Sequence, residues 1–282
     1  MTWRRWFAGL ALAGCAWAAA CAQQRVEVPS LDLRAGAPLK LAGYWFAVDG
    51  TGRRPAVVLL HGCGGPHGRD GELSDRLADY AAWMRVQGWH ALVIDSLGSR
   101  GERETCTQRS GTASVKQGHR RRDALGALRW LAARPEVDAE RLALVGWSNG
   151  GSTVLAATNA GLREVTQSPV NPRAAVAFYP GCSFELGRGY RPLVPLLLLL
   201  GEKDDWTGAQ PCLDLAQRAG AKVQVEVYAG AYHGFDSEAK LRLRRDVPNG
   251  VSPGQGVHVG GDPIARVASR ERLLAFLREQ LQ

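Results

Sequence analysis

Lysine is scarce in this chain of 282 residues: 5 lysines against 30 arginines carry the basic side of a formal net charge of +8. The arginines are scattered, with no long basic run, finger spacing, basic helix or aromatic-interleaved patch, which argues against a dedicated nucleic-acid surface. The triplet Arg120-Arg121-Arg122 reads as the solvated face of a helix. The histidines form no H-E-x-x-H cluster and the cysteines have no C-x-x-C or other metal spacing, so no metal site is expected. Beyond the N-terminus no segment approaches the roughly 20 apolar residues that cross a bilayer. Internal repeats, low-complexity tracts and an interdomain linker are also missing. With 45% hydrophobic and 22% charged residues, disorder, collagen and coiled coil are excluded. The length fits either two small domains or one large α/β domain.

The N-terminus has the layout of a secretory signal: Arg4 and Arg5, an apolar stretch from Trp6 to Ala20, then Ala20-Cys21-Ala22 before Gln23-Gln24. The expected division is a signal peptide over 1–22 and a single domain over 23–282, in a periplasmic or secreted protein. Leu12-Ala13-Gly14-Cys15 resembles a bacterial lipobox, so a lipoprotein anchored through Cys15 is the alternative, and Arg4-Arg5-Trp6-Phe7 loosely resembles a twin-arginine signal. Cleavage after Ala22 would leave Cys63, Cys106, Cys182 and Cys212, an even set that suggests disulfides in an oxidising compartment. Three pairings are possible.

From Arg53 onward, short apolar runs alternate with helical stretches, the pattern of a parallel sheet covered by helices. Strands are predicted over Ala56 to Leu60, His90 to Ile94, Arg141 to Val145, Ala174 to Tyr179, Leu196 to Leu200 and Lys222 to Tyr228. Their near-continuous apolar character suits burial on both faces. Arg25 to Leu33 and Leu39 to Val48 alternate more and read as leading edge strands. Helices are predicted over Glu72 to Gln87, Val115 to Ala133 and Thr153 to Ala160, with a last one capped by Asp262-Pro263 and running through Leu281. Ser237 to Gly261 is the longest irregular stretch, of the kind that is either disordered or functional.

The sharpest chemical signal is Gly146-Trp147-Ser148-Asn149-Gly150-Gly151, a G-x-S-x-G turn between a strand and a helix. Such a turn requires small neighbours and presents Ser148 at the end of the sheet, beside a helix N-terminus that favours negative charge. A serine hydroxyl needs a base, and the base an orienting acid. Gly201-Glu202-Lys203-Asp204-Asp205 follows one strand and Ala231-Tyr232-His233-Gly234-Phe235 the next, so Ser148, Asp204 and His233 occur in the chain order of an α/β-hydrolase. Asp204 is favoured over Asp205, which would be a solvated or supporting neighbour. His61-Gly62-Cys63-Gly64-Gly65 follows the strand Ala56 to Leu60, and its glycines let backbone approach a ligand. The amides of Cys63 and Asn149 are assigned as oxyanion donors, and His61 as a hydrogen-bonding group that fixes the loop.

These segments, with Asp95-Ser96-Leu97-Gly98-Ser99-Arg100-Gly101, Tyr179-Pro180-Gly181-Cys182, Trp206 and Asp236, resemble the dienelactone hydrolase family of α/β-hydrolases. The resemblance implies a mostly parallel sheet with helices on both faces, hydrolysis of a small-molecule carboxylic ester or lactone, and no cofactor. The founding enzymes use a cysteine nucleophile where this elbow carries Ser148, so the resemblance points to ester or lactone hydrolysis rather than to the eponymous substrate. On that fold Cys63 and Cys106 lie in loops after the first two core strands, and Cys182 and Cys212 after two later ones. The expected pairing is Cys63 with Cys106 and Cys182 with Cys212, four reduced thiols being the alternative. Two other functions compete: a peptidase on the same scaffold, for which 260 residues leave little room for an added domain or lid, and a noncatalytic binding protein that kept the fold. Trp147, Trp206 and Tyr179 fall near the site and can equally be packing residues.

Overall fold

In the strand Arg54–Leu60, Val58 and Leu60 point into one apolar cluster and Val57 and Leu59 into another, all fully buried. The same parity holds in Leu196–Gly201, where Leu196, Leu198 and Leu200 face one cluster and Leu197 and Leu199 the other. Side chains alternate across a strand, so an unbroken apolar run must be covered on both sides. That requirement dictates a three-layer arrangement, helices on each face of a central sheet.

The computed structural model describes residues 23–109 and 111–282. The expected signal segment 1–22, with Cys15 and Cys21, lies outside the described residues. Among the described residues the strands are β1 (Gln23–Arg34), β2 (Ala37–Phe46), β3 (Arg54–Leu60), β4 (His90–Ile94), β5 (Val137–Trp147), β6 (Ala174–Phe178), β7 (Leu196–Gly201) and β8 (Val223–Tyr228), with a hairpin of β9 (Arg242–Arg244) and β10 (Val257–Val259). The helices are α1 (Asp75–Val86), α2 (Gln117–Ala132), α3 (Asn149–Ala157), α4 (Arg163–Thr166), α5 (Ser183–Gly187), α6 (Gln210–Ala219) and α7 (Pro263–Gln280). The sheet order is β1-β2-β4-β3-β5-β6-β7-β8. β1 and β2 pair antiparallel, β2 pairs antiparallel to β4, and every other pairing in this sheet is parallel. One apolar cluster lies against α2, α3 and α6, the other against α1 and α7. This is the α/β-hydrolase fold, with the connections after β3, β5, β7 and β8 meeting at one end of the sheet.

Several boundaries differ from the sequence reading. β2 lies between β1 and β4 and is not an edge; only β1 and β8 close the sheet. β5 starts earlier, because Val137 already pairs with Arg54. α1 starts at Asp75 because Glu72 turns onto the Asp70 carboxylate. α3 starts at Asn149, immediately after the serine. At α7 the expected cap is present, with Asp262 accepting from the Ile264 and Ala265 amides.

The arginine triplet is not a solvated face. Arg120 is only 2% exposed, while Arg121 and Arg122 both bind Glu164 and Arg122 also binds Asp32. α2 packs between β1 and α3, so little of it faces water. Beside the triplet, Asp123 is fully buried and accepts from Ser30 Oγ at 2.6 Å and from Arg100 at 2.8 and 2.9 Å. Removing one partner of such a buried pair leaves a charge without compensation, which typically costs about 3 to 5 kcal/mol.

Two disulfides lie at the end of the sheet where the connections after β3, β5, β7 and β8 meet: Cys63–Cys106 joins two loops, and Cys182–Cys212 ties the residue before α5 to the first turn of α6, where a loop position was expected for Cys212. Cys182 and Cys212 are fully buried, whereas Cys63 is partly exposed. Exchange requires a thiolate to reach a sulfur. Under native conditions a mild reductant should therefore open Cys63–Cys106 first and leave Cys182–Cys212 closed until the protein unfolds. Mass mapping of alkylated peptides over a time course checks this; simultaneous opening of both bridges would contradict it.

Candidate active site

β5 turns into α3 through one residue, Ser148, whose backbone has φ 53° and ψ −117°. Non-glycine residues at positive φ are strained and persist where the surroundings enforce them. Here the enforcement is close packing. A Cβ at Gly146 would collide with the Gly150 carbonyl, and one at Gly150 with the carbonyl of Leu60 on β3. Glycine at both positions lets α3 start against the sheet, so that Ser148 projects beyond its end.

A carboxylate and an imidazole arrive from neighbouring loops. Asp204 follows β7 and His233 follows β8. Ser148 Oγ lies 2.9 Å from His233 Nε2, and His233 Nδ1 lies 2.8 Å from Asp204 Oδ2. An ionised carboxylate only accepts, so Nδ1 carries the proton and Nε2 accepts from the serine hydroxyl. Asp204 is fixed in turn: Oδ1 accepts from the Trp206 and Thr207 amides at 2.9 and 3.0 Å, and Oδ2 from Thr207 Oγ1 at 2.9 Å. Burial works to raise its pKa, but the His233 charge and hydrogen bond and the Thr207 donors outweigh burial and hold the carboxyl below its ordinary range. The rings of Tyr179 and Trp206 lie 4.5 and 4.7 Å from the His233 ring.

Ser148, Cys63 and Asn149 border one cavity of about 840 Å³, whose wall includes Thr105, Cys106, Trp206, Gln210 and Val251. Asn149 is the first residue of α3, so its amide has no carbonyl partner within the helix. Among the described residues no backbone acceptor takes the Cys63 amide either. Two amides beside a serine can receive an oxyanion. Neither lysine nor arginine lines this cavity among the described residues; Glu202 and Asp204 are its carboxylates.

Other expected residues occupy other places. Asp205 points away from His233 and binds the Nδ1 and backbone amide of His258 at 2.6 and 2.8 Å, while its carbonyl accepts from Val251. The long stretch 237–261 is thereby tied to the site, and Asn249, Gly250 and Val251 line the cavity. Trp147 is buried and donates to Asp236 at 2.9 Å, so it packs rather than lining the cavity. Tyr179 donates to the same carboxylate at 2.5 Å, and the guanidinium of Arg76 lies 3.5 Å from it. Burial, with Asp236 beside it, pushes the Tyr179 phenol well above its ordinary range despite the opposing Arg76, which keeps it a donor. Reading the sequence missed Thr207 and the Asp236 cradle. Thr207 had a local signal, an aspartate followed three residues later by a hydroxyl; Arg76 had none.

Residues 41–279 match the dienelactone hydrolase family, and the chain belongs to that family. A Bradyrhizobium protein named a probable 2-oxo-3-(5-oxofuran-2-ylidene)propanoate lactonase is 25% identical over 201 residues, covering 66% of this chain and 75% of the relative. Acylamino-acid-releasing enzyme 2 of Oryza sativa is 26% identical over 196 residues, 66% of this chain but 21% of the plant enzyme. The chain thus spans about a fifth of the plant enzymes it matches. Among solved structures, the dienelactone hydrolase-like promiscuous phosphotriesterase P91 from metagenomic libraries superposes with a TM-score of 0.64 at 22% identity, over 93% of this chain and all of that one. A dienelactone hydrolase from Anabaena variabilis gives 0.62 at 17% identity, over 93% and 99% of the two chains.

The Asp236 cradle supports the ring that backs His233. Asp236→Ala would leave the Trp147 indole and Tyr179 phenol without an acceptor and Arg76 without its counter-charge, at a cost of about 3 to 5 kcal/mol. Urea denaturation checks this; a loss under about 1 kcal/mol would show that the network is not structural.

Proposed function

We propose that this protein is an exported serine hydrolase of carboxylic esters or lactones, a single domain over 23–282, with Ser148 as nucleophile, His233 as base and Asp204 as the acid that orients it. The observation that carries the reading is the continuous relay from Ser148 Oγ through both nitrogens of His233 to Asp204. Ser148 Oγ attacks the carbonyl carbon while its proton passes to His233 Nε2. The amides of Cys63 and Asn149 receive the oxyanion. Collapse of the tetrahedral adduct expels the alcohol, which takes the proton from Nε2, and leaves an acyl-serine. Water, deprotonated by the same nitrogen, attacks the acyl carbon, and its proton returns to Ser148 as the acid departs. Asp204 stays ionised throughout and stabilises the imidazolium.

The cavity wall argues for an uncharged group at the reacting end, since it offers Glu202 and no cation to a substrate carboxylate. Two disulfides and an N-terminus with signal-peptide layout support an oxidising, extracytoplasmic location. No helix among the described residues is long and apolar enough to cross a membrane. The acylamino-acid-releasing relatives make an acylamino-acid anilide a necessary arm of any substrate panel.

Ser148→Ala should lower p-nitrophenyl butyrate turnover by about 10⁴-fold or more in a folded protein, because the triad acts as a unit. Unchanged turnover, or failure of the wild type to take a fluorophosphonate label, would leave a binding role as the better reading. Asp204→Asn should cost about 10⁴-fold, through loss of the charge and of the correct tautomer. Asp205→Asn, which touches only His258 and the loop, should stay within about tenfold. In the panel, p-nitrophenyl butyrate should exceed the p-nitrophenyl hemi-ester of succinate in kcat/KM by at least about tenfold; a preference for the hemi-ester would reverse the substrate assignment, and a preference for the anilide would favour a peptidase.

A further inference from the structure

We propose that Arg120, buried beneath the active site, is the positioning residue of the oxyanion hole, clamping to one guanidinium the two separate loops that supply its amides. The proposal rests on the reading that the Cys63 and Asn149 amides receive the oxyanion. Those amides come from different parts of the chain, the connection after β3 and the start of α3, and have to be held in a fixed relation. One Arg120 nitrogen donates to Asn149 Oδ1 at 2.5 Å, and the other terminal nitrogen to the His61 carbonyl at 2.6 Å. Gln117, one turn earlier on α2, donates to the same Asn149 side chain at 3.1 Å and accepts from Thr153 on α3 at 3.0 Å.

On the β3 side the clamp passes through His61. Its Nε2 accepts from the Ser96 amide at 3.2 Å, so its Nδ1 carries the proton and donates to the Gly62 carbonyl at 2.6 Å. That carbonyl belongs to the peptide whose N–H is the Cys63 amide. Donation to one end of a peptide strengthens donation from the other. Burial, and then the Arg120 charge, hold His61 well below its ordinary pKa, so the ring stays neutral and the tautomer is fixed.

Arg120 is an expensive way to fill this space. It is 2% exposed, its Nε has no hydrogen-bond partner, and no carboxylate comes within ion-pairing distance among the described residues. Burial pulls its pKa down to about 10, with Asp123 and Asp95 opposing, which still leaves it cationic at neutral pH. A buried cation without a direct counter-ion is weak evidence for stability. It is better suited to a place where negative charge appears for part of a reaction cycle. Both of its acceptors lie in the segments that bear the hole's donors, so the positive charge sits on the protein side of the developing oxyanion.

The experiment uses the full chain and compares Arg120→Met, which keeps most of the volume, with Arg120→Lys. Active sites are counted by fluorophosphonate titration, kcat and KM are measured on p-nitrophenyl butyrate, and Ki is measured for an alkylboronic acid, which forms a tetrahedral adduct on serine. For Arg120→Met we expect kcat per titrated site to fall about 10²-fold, in the range for loss of one oxyanion donor, with KM within about threefold and boronate Ki weakened in step with kcat/KM. Arg120→Lys should recover part of the loss, since an ammonium keeps the charge but reaches one acceptor. Normal kcat per titrated site, with only the titratable fraction reduced, would overturn the proposal and leave Arg120 a purely structural residue. An unaltered boronate Ki would overturn it too. If Arg120→Met fails to fold, Asn149→Ala removes one acceptor and keeps the backbone amide; it should lower kcat about tenfold at constant KM, and full kcat would refute the clamp. A wild type with neither turnover nor label would sink the functional reading itself, whereas an active wild type with fully active Arg120 variants sinks this proposal alone.

Discussion

The candidate site depends first on a steric constraint: the chain passes from β5 into α3 over one residue at positive φ. Ser148 occupies that position because Gly146 and Gly150 allow the turn to close against itself and against the end of β3. A side chain at either glycine would push α3 off the sheet. The amide of Asn149 and the hydroxyl of Ser148 would then move together, and with them the distance to His233. The cost of the strained serine is of order 1 to 3 kcal/mol, and it is borne by the packing of β3, β5 and β6 around the turn. Ser148 itself donates its amide to the Phe178 carbonyl at 2.9 Å, which ties the elbow to β6 as well.

From that turn the geometry spreads outward through the parallel sheet. Parallel strands place their C-terminal ends side by side, so Ser148, the Cys63 loop, Asp204 and His233 converge although up to 170 residues separate them in the chain. Each is then held by something other than the sheet. Asp204 turns over the amides of Trp206 and Thr207, His233 lies between two aromatic rings, and the Cys63 loop is tied covalently to Cys106 and by the Thr105 amide to the Cys63 carbonyl. The fold supplies proximity, and these local fastenings supply orientation.

What could be read in the sequence follows the same division. The core strands were legible because burial on both faces forces continuous apolar runs, and the elbow because its sterics demand small residues at fixed spacing. The chain order of Ser148, Asp204 and His233 was legible because each follows such a strand. Arg120 was not, because a run of three arginines carries no mark of which one faces inward; that depends on β1 and α3 closing over α2. Asp205 illustrates a second limit. Position after the strand favoured Asp204, but the partner of Asp205 had no mark in the sequence; it follows from the turn after β7, which sends one carboxylate toward His233 and the other toward His258. The length of the irregular stretch 237–261 was visible, but its attachment to the cavity came only with the contact between His258 and Asp205.

The polar groups buried at this end of the sheet make physical sense together. His61, Arg120, Asp204, His233 and Asp236 are each at most 6% exposed, in a region where apolar side chains would cost less. A thiolate nucleophile can be ionised in advance by its surroundings, whereas a serine alkoxide is too basic to accumulate, so its proton must leave during the attack itself. On the proposed reading, the replacement of cysteine by Ser148 shifts the burden from ionisation to alignment. The hydroxyl, the imidazole and the amide donors must already be in place when the carbonyl arrives, since no stored charge compensates for misplacement. Buried hydrogen bonds resist such misplacement because each alternative arrangement would strand a polar group away from water. The stability given up to bury these groups is therefore the physical counterpart of using an oxygen nucleophile.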